Sequence, residues 1–198
     1  MTENMGSLSE EKDGKFDFIK EFYEWTEAIV YPLAIIILVF SLVFRVLSVE
    51  GISMENTLNK GVKSISTTLD RVILSDFNYT PKKGDIVAIH KKVNEADLIV
   101  KRIIAVGGDT VNINFDKHIV YVNGKALKEP YVINEKRAWE YSVNFPEKVP
   151  KDCYFVMGDN RNESEDSRYV EVGFINKNDI IGRAYFRIFP FNRIGFLK

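Results

Sequence analysis

Hydrophobic and polar positions divide the chain into one apolar segment and a longer region of alternating pattern. Residues 28–44 (AIVYPLAIIILVFSLVF) contain no charged side chain. This length is near the lower limit for a helix that crosses a bilayer, and Arg45 can extend the span by reaching the interface. Pro32 falls in the first turns of such a helix, where proline costs least. We therefore predict a transmembrane anchor over residues 28–48.

Two other interpretations of the apolar segment are a cleaved signal peptide and a buried core helix. A cleaved signal has a basic N-terminal region and small residues at the cut, whereas residues 1–27 carry three lysines against eight acidic residues and no Ala-x-Ala follows. A core helix would show a polar face, which this segment lacks, so the pattern favours a retained anchor. Residues 1–27 are then an N-terminal tail, with residues 1–15 disordered and the aromatic-rich residues 16–27 forming a short interfacial helix.

The pattern after the anchor is that of short strands. Runs rich in β-branched residues are separated by turn signals such as Val122-Asn123-Gly124-Lys125, which is typical of a hairpin. No long amphipathic helix interrupts them, which favours an antiparallel β domain over residues 49–198 rather than a βαβ fold. The predicted strands are residues 72–74, 85–90, 98–106, 110–115, 119–122, 153–157 and 184–189.

Composition narrows the range of functions. The hydrophobic fraction of 45% and the charged fraction of 28% are those of a globular protein. The net charge is −1 and no basic run is present, so we do not expect a nucleic-acid partner. A lone cysteine, Cys153, excludes an internal disulfide, and with only two histidines beside it we expect no metal and no cofactor.

Two adjacent cations interrupt the predicted strand Leu98–Val106. Because alternate residues of a strand share a face, Lys101 lies with Ile99, Ile103 and Ala105, and Arg102 lies on the opposite apolar face. Arginine stays protonated and cannot act as a base. A lysine in an apolar setting has a lowered pKa and can accept a proton when neutral. The alternative is that both cations sit at a strand end and reach solvent.

Two further stretches carry chemistry. Gly51-Ile52-Ser53 offers a serine directly after the anchor, but a serine hydroxyl needs a base within hydrogen-bond reach to act as a nucleophile. Residues 158–168 (GDNRNESEDSR) are dense in turn formers and charges. Their two aspartates and two arginines (Asp159, Asp166, Arg161 and Arg168) could pair internally and hold the loop rigid, or the segment could be a solvated acidic loop.

Together these stretches resemble the type I signal peptidases, membrane-anchored Ser–Lys proteases that remove signal peptides from exported proteins. The resemblance covers about Val49 to Arg183 and is most similar to Gram-positive members. Four motifs occur in the family's order: Ser53-Met54-x-x-Thr57-Leu58, Lys83-Gly84-Asp85-Ile86-Val87, Lys101 to Asp109, and Gly158-Asp159-Asn160-Arg161 with Ser164 and Asp166-Ser167-Arg168.

The resemblance implies a role for each matching residue. Ser53 is expected to be the nucleophile, with its backbone N–H in the oxyanion hole, and Lys101 the general base. Ser164 is expected to hydrogen-bond and orient Lys101, Asp166 and Arg168 to form a supporting ion pair, and Met54 to line the substrate pocket. The implied fold is two antiparallel β-sheets. The lysine and arginine counts on the two sides of the anchor are similar and do not fix its orientation, so the extracytoplasmic placement of the β domain is implied by the resemblance alone. The implied partners are signal peptides and the phospholipid bilayer.

The sequence departs from the family pattern at three places. Asn56 stands where the family usually has proline, and Gly51 stands where some members carry a serine that donates to the oxyanion. The stretch Gly61–Leu69 is longer than the family's usual linker. An inactive, membrane-tethered binding protein that retains the fold is therefore the alternative function. A self-cleaving repressor-type Ser–Lys protease would carry a DNA-binding domain instead of a membrane segment.

Overall fold

The computed structural model describes residues 6–59, 69–93, 96–132 and 139–197, in two units that meet in the chain between Val43 and Phe44. The unusually long linker predicted over Gly61–Leu69 lies outside the described residues, apart from Leu69 itself.

The first unit is a single helix, α1, that spans Gly6–Val43. Its segment Lys20–Val43 is long and apolar enough to cross a membrane. The predicted disorder is wrong for residues 6–15, which begin this helix, and Pro32 lies in its interior rather than in its first turns. Glutamate and lysine are good helix formers, so the charged residues extend the apolar helix without a break.

The predicted anchor ends too late, because the helix stops at Val43. Residues Arg45–Ser48 form strand β1, which pairs antiparallel with β2, Arg71–Ser75. Val46 is exposed whereas Leu47 packs against a core cluster, as expected for alternate residues of a strand. The sequence pattern did not predict β1 because four residues are too few to show an alternation next to a long apolar helix.

The second unit is antiparallel β structure, which confirms the predicted fold class. All seven predicted strands are present, and the strands that were not predicted have only two to four residues. After β1 and β2 the strands are β3 Ile86–Val93, β4 Ala96–Val106, β5 Thr110–Asn114, β6 Ile119–Val122, β7 Lys125–Ala126, β8 Glu147–Lys148, β9 Cys153–Met157, β10 Ile175–Asn176, β11 Ile180–Phe189 and β12 Gly195–Phe196. The larger sheet has the order β1-β2-β11-β3-β4-β9-β10, with β12 beside β11, and the smaller has the order β7-β6-β5-β8.

The hairpin between β6 and β7 forms where the sequence predicted it. Asn123 and Gly124 have φ of 52° and 75°, the left-handed values that a two-residue hairpin turn requires.

A bulge in β4 changes which of its side chains share a face. The pairing of β4 with β9 shifts register between Ile103 and Ala105. Ala105 therefore packs with Ile104 in one core cluster, and Val106 packs with Ile103 in another. The predicted alternation is correct up to Ile103 and is reversed beyond the bulge, since one inserted residue moves the following side chains to the opposite face.

The larger sheet curls so that its edge strand approaches its centre. Val49, which follows β1, and Val100 of β4 pack in the same core cluster, although β1 and β4 are four steps apart in the strand order. Twist that accumulates across the sheet allows this contact. The turn after β1 is thereby brought beside the middle of β4.

Candidate active site

The turn that follows β1 presents Ser53. Gly51 has φ of +81°, in the left-handed region that glycine adopts without strain. The N–H of Glu55 donates to the Ile52 carbonyl at 2.9 Å, and the N–H of Leu58 donates to the Met54 carbonyl at 2.8 Å. These bonds wind residues 52–58 into a compact turn that leaves Ser53 half-buried.

Strand β4 holds Lys101 inside the second unit. Only 3% of Lys101 and 1% of Arg102 is exposed, so the alternative in which both cations reach solvent is wrong. Burial lowers the pKa of Lys101 from 10.5 to about 8, although the nearby Asp166 carboxylate opposes part of this change. At about pH 7 roughly a tenth of this lysine is therefore neutral and available to accept a proton, and the neutral share rises to about half at about pH 8.

Ser53 and Lys101 line the same cavity, which has a volume of about 570 Å³. Its walls are the end of β1 with the residues after it, and the first half of β4. In the described part of the chain, residues 97–101 of β4 pair with β3 on one edge and with no strand on the other, because β9 pairs only with Arg102–Val106. The cavity is lined by Leu47, Ser48, Val49, Glu50, Gly51, Ser53, Asp97, Leu98, Ile99, Val100 and Lys101.

The loop of residues 158–168 packs directly against the Ser53 backbone. The N–H of Asn160 donates to the Ser53 carbonyl at 3.0 Å. A Cβ on Gly158 would lie 2.5 Å from that carbonyl oxygen and would also collide with the side chain of Ser164. Only glycine fits at this position, and its absence of a side chain lets the loop approach the turn that carries Ser53.

The same loop contains a buried carboxylate network. The Ser164 hydroxyl donates to Asp166 Oδ2 at 2.8 Å, and Arg168 Nε donates to Asp166 Oδ1 at 2.8 Å. Burial alone would raise the pKa of Asp166, but the Arg168 charge and the hydrogen bonds hold it below its usual range. Among the described residues, no side-chain hydrogen bond joins Ser164 to Lys101. Because its hydroxyl donates to Asp166, the Ser164 oxygen keeps lone pairs that can accept a hydrogen bond.

Comparison with known proteins matches residues 22–189 to the family described as signal peptidase, peptidase S26. The chain belongs to this family. It is 37% identical over 189 residues to signal peptidase I P of Bacillus subtilis subsp. natto, which covers 92% of this chain and 97% of the relative. It is 38% identical over 177 residues to a signal peptidase I of Bacillus amyloliquefaciens, which covers 86% and 90%. A solved signal peptidase I of Enterococcus faecalis V583 is 30% identical, covers 53% of this chain and 97% of its own, and has a TM-score of 0.43.

The charged residues of the loop of residues 158–168 pair only partly with one another, whereas the sequence suggested that all four could pair inside the loop. Asp166 and Arg168 do pair inside the loop, and both are fully buried. Asp159 instead receives two hydrogen bonds from Arg102 of β4, at 2.8 and 2.6 Å, and Arg161 pairs with Glu129. The loop is thus fixed both to itself and to other elements.

Asn56 and Gly51, the two departures within the serine motif, both have a positive φ. Asn56 has φ of +88°, which proline cannot adopt, and its Nδ2 donates to the Tyr131 carbonyl at 2.8 Å. Among the described residues, apart from Gly51 and its two chain neighbours, no heavy atom lies within 4 Å of the place where a Cβ on Gly51 would be. A side chain there would have room but would be strained by the positive φ.

Met54, which the resemblance assigns to the substrate pocket, lies in the core next to the cavity. It is 2% exposed, belongs to the core cluster of Val49 and Val100, and is not among the residues that line the cavity. Val49 and Val100 do line the cavity, so Met54 supports its wall from behind. The described residues contain no group of three His, Cys, Asp or Glu side chains placed to hold a metal ion.

Two contacting residues, Glu129 and Tyr131, carried no sequence signal, and a third, Thr57, was marked only as a position in the serine motif. The Thr57 hydroxyl donates to Asp159, Glu129 pairs with Arg161, and the Tyr131 ring lies over Arg102. Glu129 and Tyr131 fall in a short irregular segment after β7, where neither periodicity nor a known spacing marks them. They are recognised only in the folded chain, where they contact the buried Arg161 and Arg102.

Proposed function

We propose that this signal peptidase uses Ser53 as its nucleophile and Lys101 as its general base. It is a membrane-anchored serine endopeptidase that removes signal peptides from exported preproteins. One observation carries the residue assignment: a half-buried serine and a buried lysine of lowered pKa line the same cavity in a chain of the signal peptidase family.

The substrate is proposed to bind in extended form between the two walls of the cavity. Residues 97–101 of β4 have an open edge in the described structure, and β1 is the edge strand of its sheet. A substrate bound as an added strand would form main-chain hydrogen bonds with β1 on one side and with β4 on the other. The cavity walls would then select the substrate side chains that face them. Small side chains before the cleaved bond fit the shallow apolar surface of Ile99 and Val100.

The chemistry follows from the neutral state of Lys101. Its amine takes the Ser53 proton while the hydroxyl oxygen attacks the peptide carbonyl, and backbone donors, including the Ser53 N–H, stabilise the oxyanion. The lysine then gives its proton to the leaving amine. In the second half-reaction Lys101 activates a water that hydrolyses the acyl-enzyme. No metal or cofactor takes part in this scheme.

Ser164, Asp166 and Arg168 are proposed to support the pair. Asp166 accepts a hydrogen bond from the Ser164 hydroxyl, so the Ser164 oxygen presents a lone pair that can receive a hydrogen bond from the Lys101 amine. Arg168 neutralises Asp166, which limits the rise in the Lys101 pKa that an unpaired carboxylate would cause. Met54 contributes by supporting the cavity wall from the core side.

The proposed topology is a single span by α1 with the catalytic unit on the extracytoplasmic side and no nucleic-acid partner. One helical segment, Lys20–Val43, meets the length and composition of a span within the described residues. Exported preproteins present their signal peptides at the membrane, so a tethered enzyme meets its substrate in two dimensions.

The test is cleavage of a model preprotein by the detergent-solubilised full chain, from about pH 6 to about pH 10. Wild type should cleave it, whereas Ser53→Ala and Lys101→Ala should lose nearly all activity. Lys177→Ala, which removes an exposed lysine, is the matched control. Retained activity in Ser53→Ala or Lys101→Ala would refute the assignment. An inactive wild type on several signal peptides would favour the inactive binding protein.

A further inference from the structure

Three consecutive residues, Glu129–Tyr131, form a strap that contacts three elements of the site. They follow β7 in the chain, and their partners are Asn56 in the serine turn, Arg102 in β4 and Arg161 in the loop of residues 158–168. We propose that this strap positions the Ser53 turn against β4 and fixes the conformation of the turn at Asn56. The proposal rests on the proposed roles of Ser53 and Lys101.

The first contact holds the turn itself. Asn56 adopts φ of +88°, which is unfavourable for any residue with a Cβ, and asparagine tolerates it better than most. Its side-chain amide donates to the Tyr131 carbonyl at 2.8 Å, across 75 residues of sequence. Proline would restrict the turn by its own ring. Here the restriction comes from a hydrogen bond to a distant backbone group.

The second contact holds the strand that carries the base. The Arg102 guanidinium lies 3.9 Å from the centre of the Tyr131 ring, within the range of a cation–π interaction. Arg102 also forms a two-point pair with Asp159, whose other donor is the Thr57 hydroxyl of the serine turn. Arg102 therefore links β4 to the turn through Asp159 and to the strap through Tyr131.

The third contact holds the loop. Glu129 and Arg161 form a buried two-point ion pair, with 8% and 0% of their side chains exposed. Arg161 Nε also donates to the Gly158 carbonyl at 3.0 Å, and Gly158 packs against the Ser53 carbonyl. The Tyr131 hydroxyl donates to Glu129 at 3.1 Å, so the strap's two polar side chains are themselves connected.

The strap has no direct access to substrate in the described structure, because none of its three residues lines the cavity. Its effect on the reaction must therefore pass through the geometry of Ser53 and Lys101. A misplacement of reacting groups by about 1 Å can cost on the order of 100-fold in rate. Substrate binding, which depends on β1 and β4, should be affected much less.

The experiment measures kcat and KM for preprotein cleavage by the full chain, with rates normalised to the folded fraction. Tyr131→Leu removes the ring over Arg102, and Asn56→Gly keeps the positive φ but removes the donor to the Tyr131 carbonyl. Tyr131→Phe keeps the ring and is the conservative rescue. Tyr141→Leu is the matched control, since that half-exposed tyrosine stacks on Phe115 rather than on a site residue. Wild type and Ser53→Ala are assayed alongside.

We expect Tyr131→Leu and Asn56→Gly each to lower kcat about tenfold, with KM within about twofold of wild type. Tyr131→Phe should recover most of the rate. The kcat of the double variant should fall by less than the product of the two single effects, because both substitutions act on one linkage.

A wild-type kcat in folded Asn56→Gly would overturn the proposal, even if Tyr131→Leu failed to fold. A raised KM with unchanged kcat would overturn it as well. An inactive wild type would overturn the proposed function itself.

Discussion

At the scale of single residues, the proposed mechanism makes activity depend on the protonation of Lys101. Only the neutral amine accepts the Ser53 proton, and burial places its pKa at about 8. We therefore expect kcat/KM to rise with pH through a midpoint near that value. The Glu165 carboxylate raises this pKa, so Glu165→Gln should move the midpoint to lower pH.

This prediction is checked by the pH dependence of kcat/KM for wild type, Glu165→Gln and the nearby exposed control Glu163→Gln. The control should leave the midpoint in place. A midpoint that stays fixed or moves to higher pH in Glu165→Gln would show that a group other than Lys101 limits the rate.

The same buried amine should reduce stability. The unfolded lysine has a pKa near 10.5 and the folded one about 8, so the unfolded chain binds more protons between these values. Stability therefore rises with pH through that window, and below about pH 8 the folded protein bears the full penalty, roughly 3 kcal/mol. Lys101→Met should abolish activity yet make the second unit more stable at neutral pH.

Denaturant unfolding at about pH 7 and about pH 10 measures this effect. The stability gain of Lys101→Met should be large at the lower pH and small at the higher one. Lys177→Met, at an exposed position, should show no such difference. A gain that is equal at both pH values would mean that packing rather than ionisation accounts for it.

At the scale of elements, the serine turn has a conformation that excludes proline at position 56. Proline fixes φ near about −65°, whereas Asn56 has φ of +88°. We expect Asn56→Pro to lower both thermal stability and kcat, by more than Asn56→Gly does, because glycine accepts the positive φ. Thermal unfolding and cleavage rates of the two variants provide the comparison. An Asn56→Pro enzyme as fast as wild type would mean that the turn can adopt the proline-containing conformation.

Sequence patterns predicted the elements best where several residues repeat one signal. Strand β4 was clear because residues 98–106 form a run rich in β-branched side chains around two cations, and the β6–β7 hairpin was clear from Asn123-Gly124. Strand β1 was missed because its four residues directly follow a long apolar helix. The bulge after Ile103 was also invisible, since it arises from pairing with β9 and leaves no local mark.

The candidate site was partly predictable for a related reason. Ser53 and Lys101 could be proposed from the sequence because the chemistry requires those residue types and the family motifs contain them. The partners of Asp159 and Arg161 lie 57 and 32 residues away, and such pairings depend on how elements pack. Met54 was assigned to the pocket from its place in the motif, but the turn directs it into the core.

At the scale of the whole molecule, the boundary between anchor and catalytic unit can be tested by truncation. The second unit begins at Phe44, and β1 supplies Leu47 and Ser48 to the cavity. A chain that starts at Phe44 should keep its fold and cleave a short soluble peptide at close to the full-length rate. A chain that starts at Val49 lacks β1, which exposes the edge of β2 and removes one wall of the cavity. We expect it to lose most of that activity.

Peptide cleavage and thermal unfolding of the two truncated chains distinguish the boundary at Val43 from the originally predicted one at residue 48. On preprotein embedded in vesicles, the chain that starts at Phe44 should be slower than the full-length enzyme, because it has lost the helix that concentrates it at the membrane. Equal peptide activity in both truncations would mean that β1 is dispensable and that substrate binds along β4 alone. Equal rates on vesicles for the full chain and the chain starting at Phe44 would mean that the second unit reaches the membrane without α1.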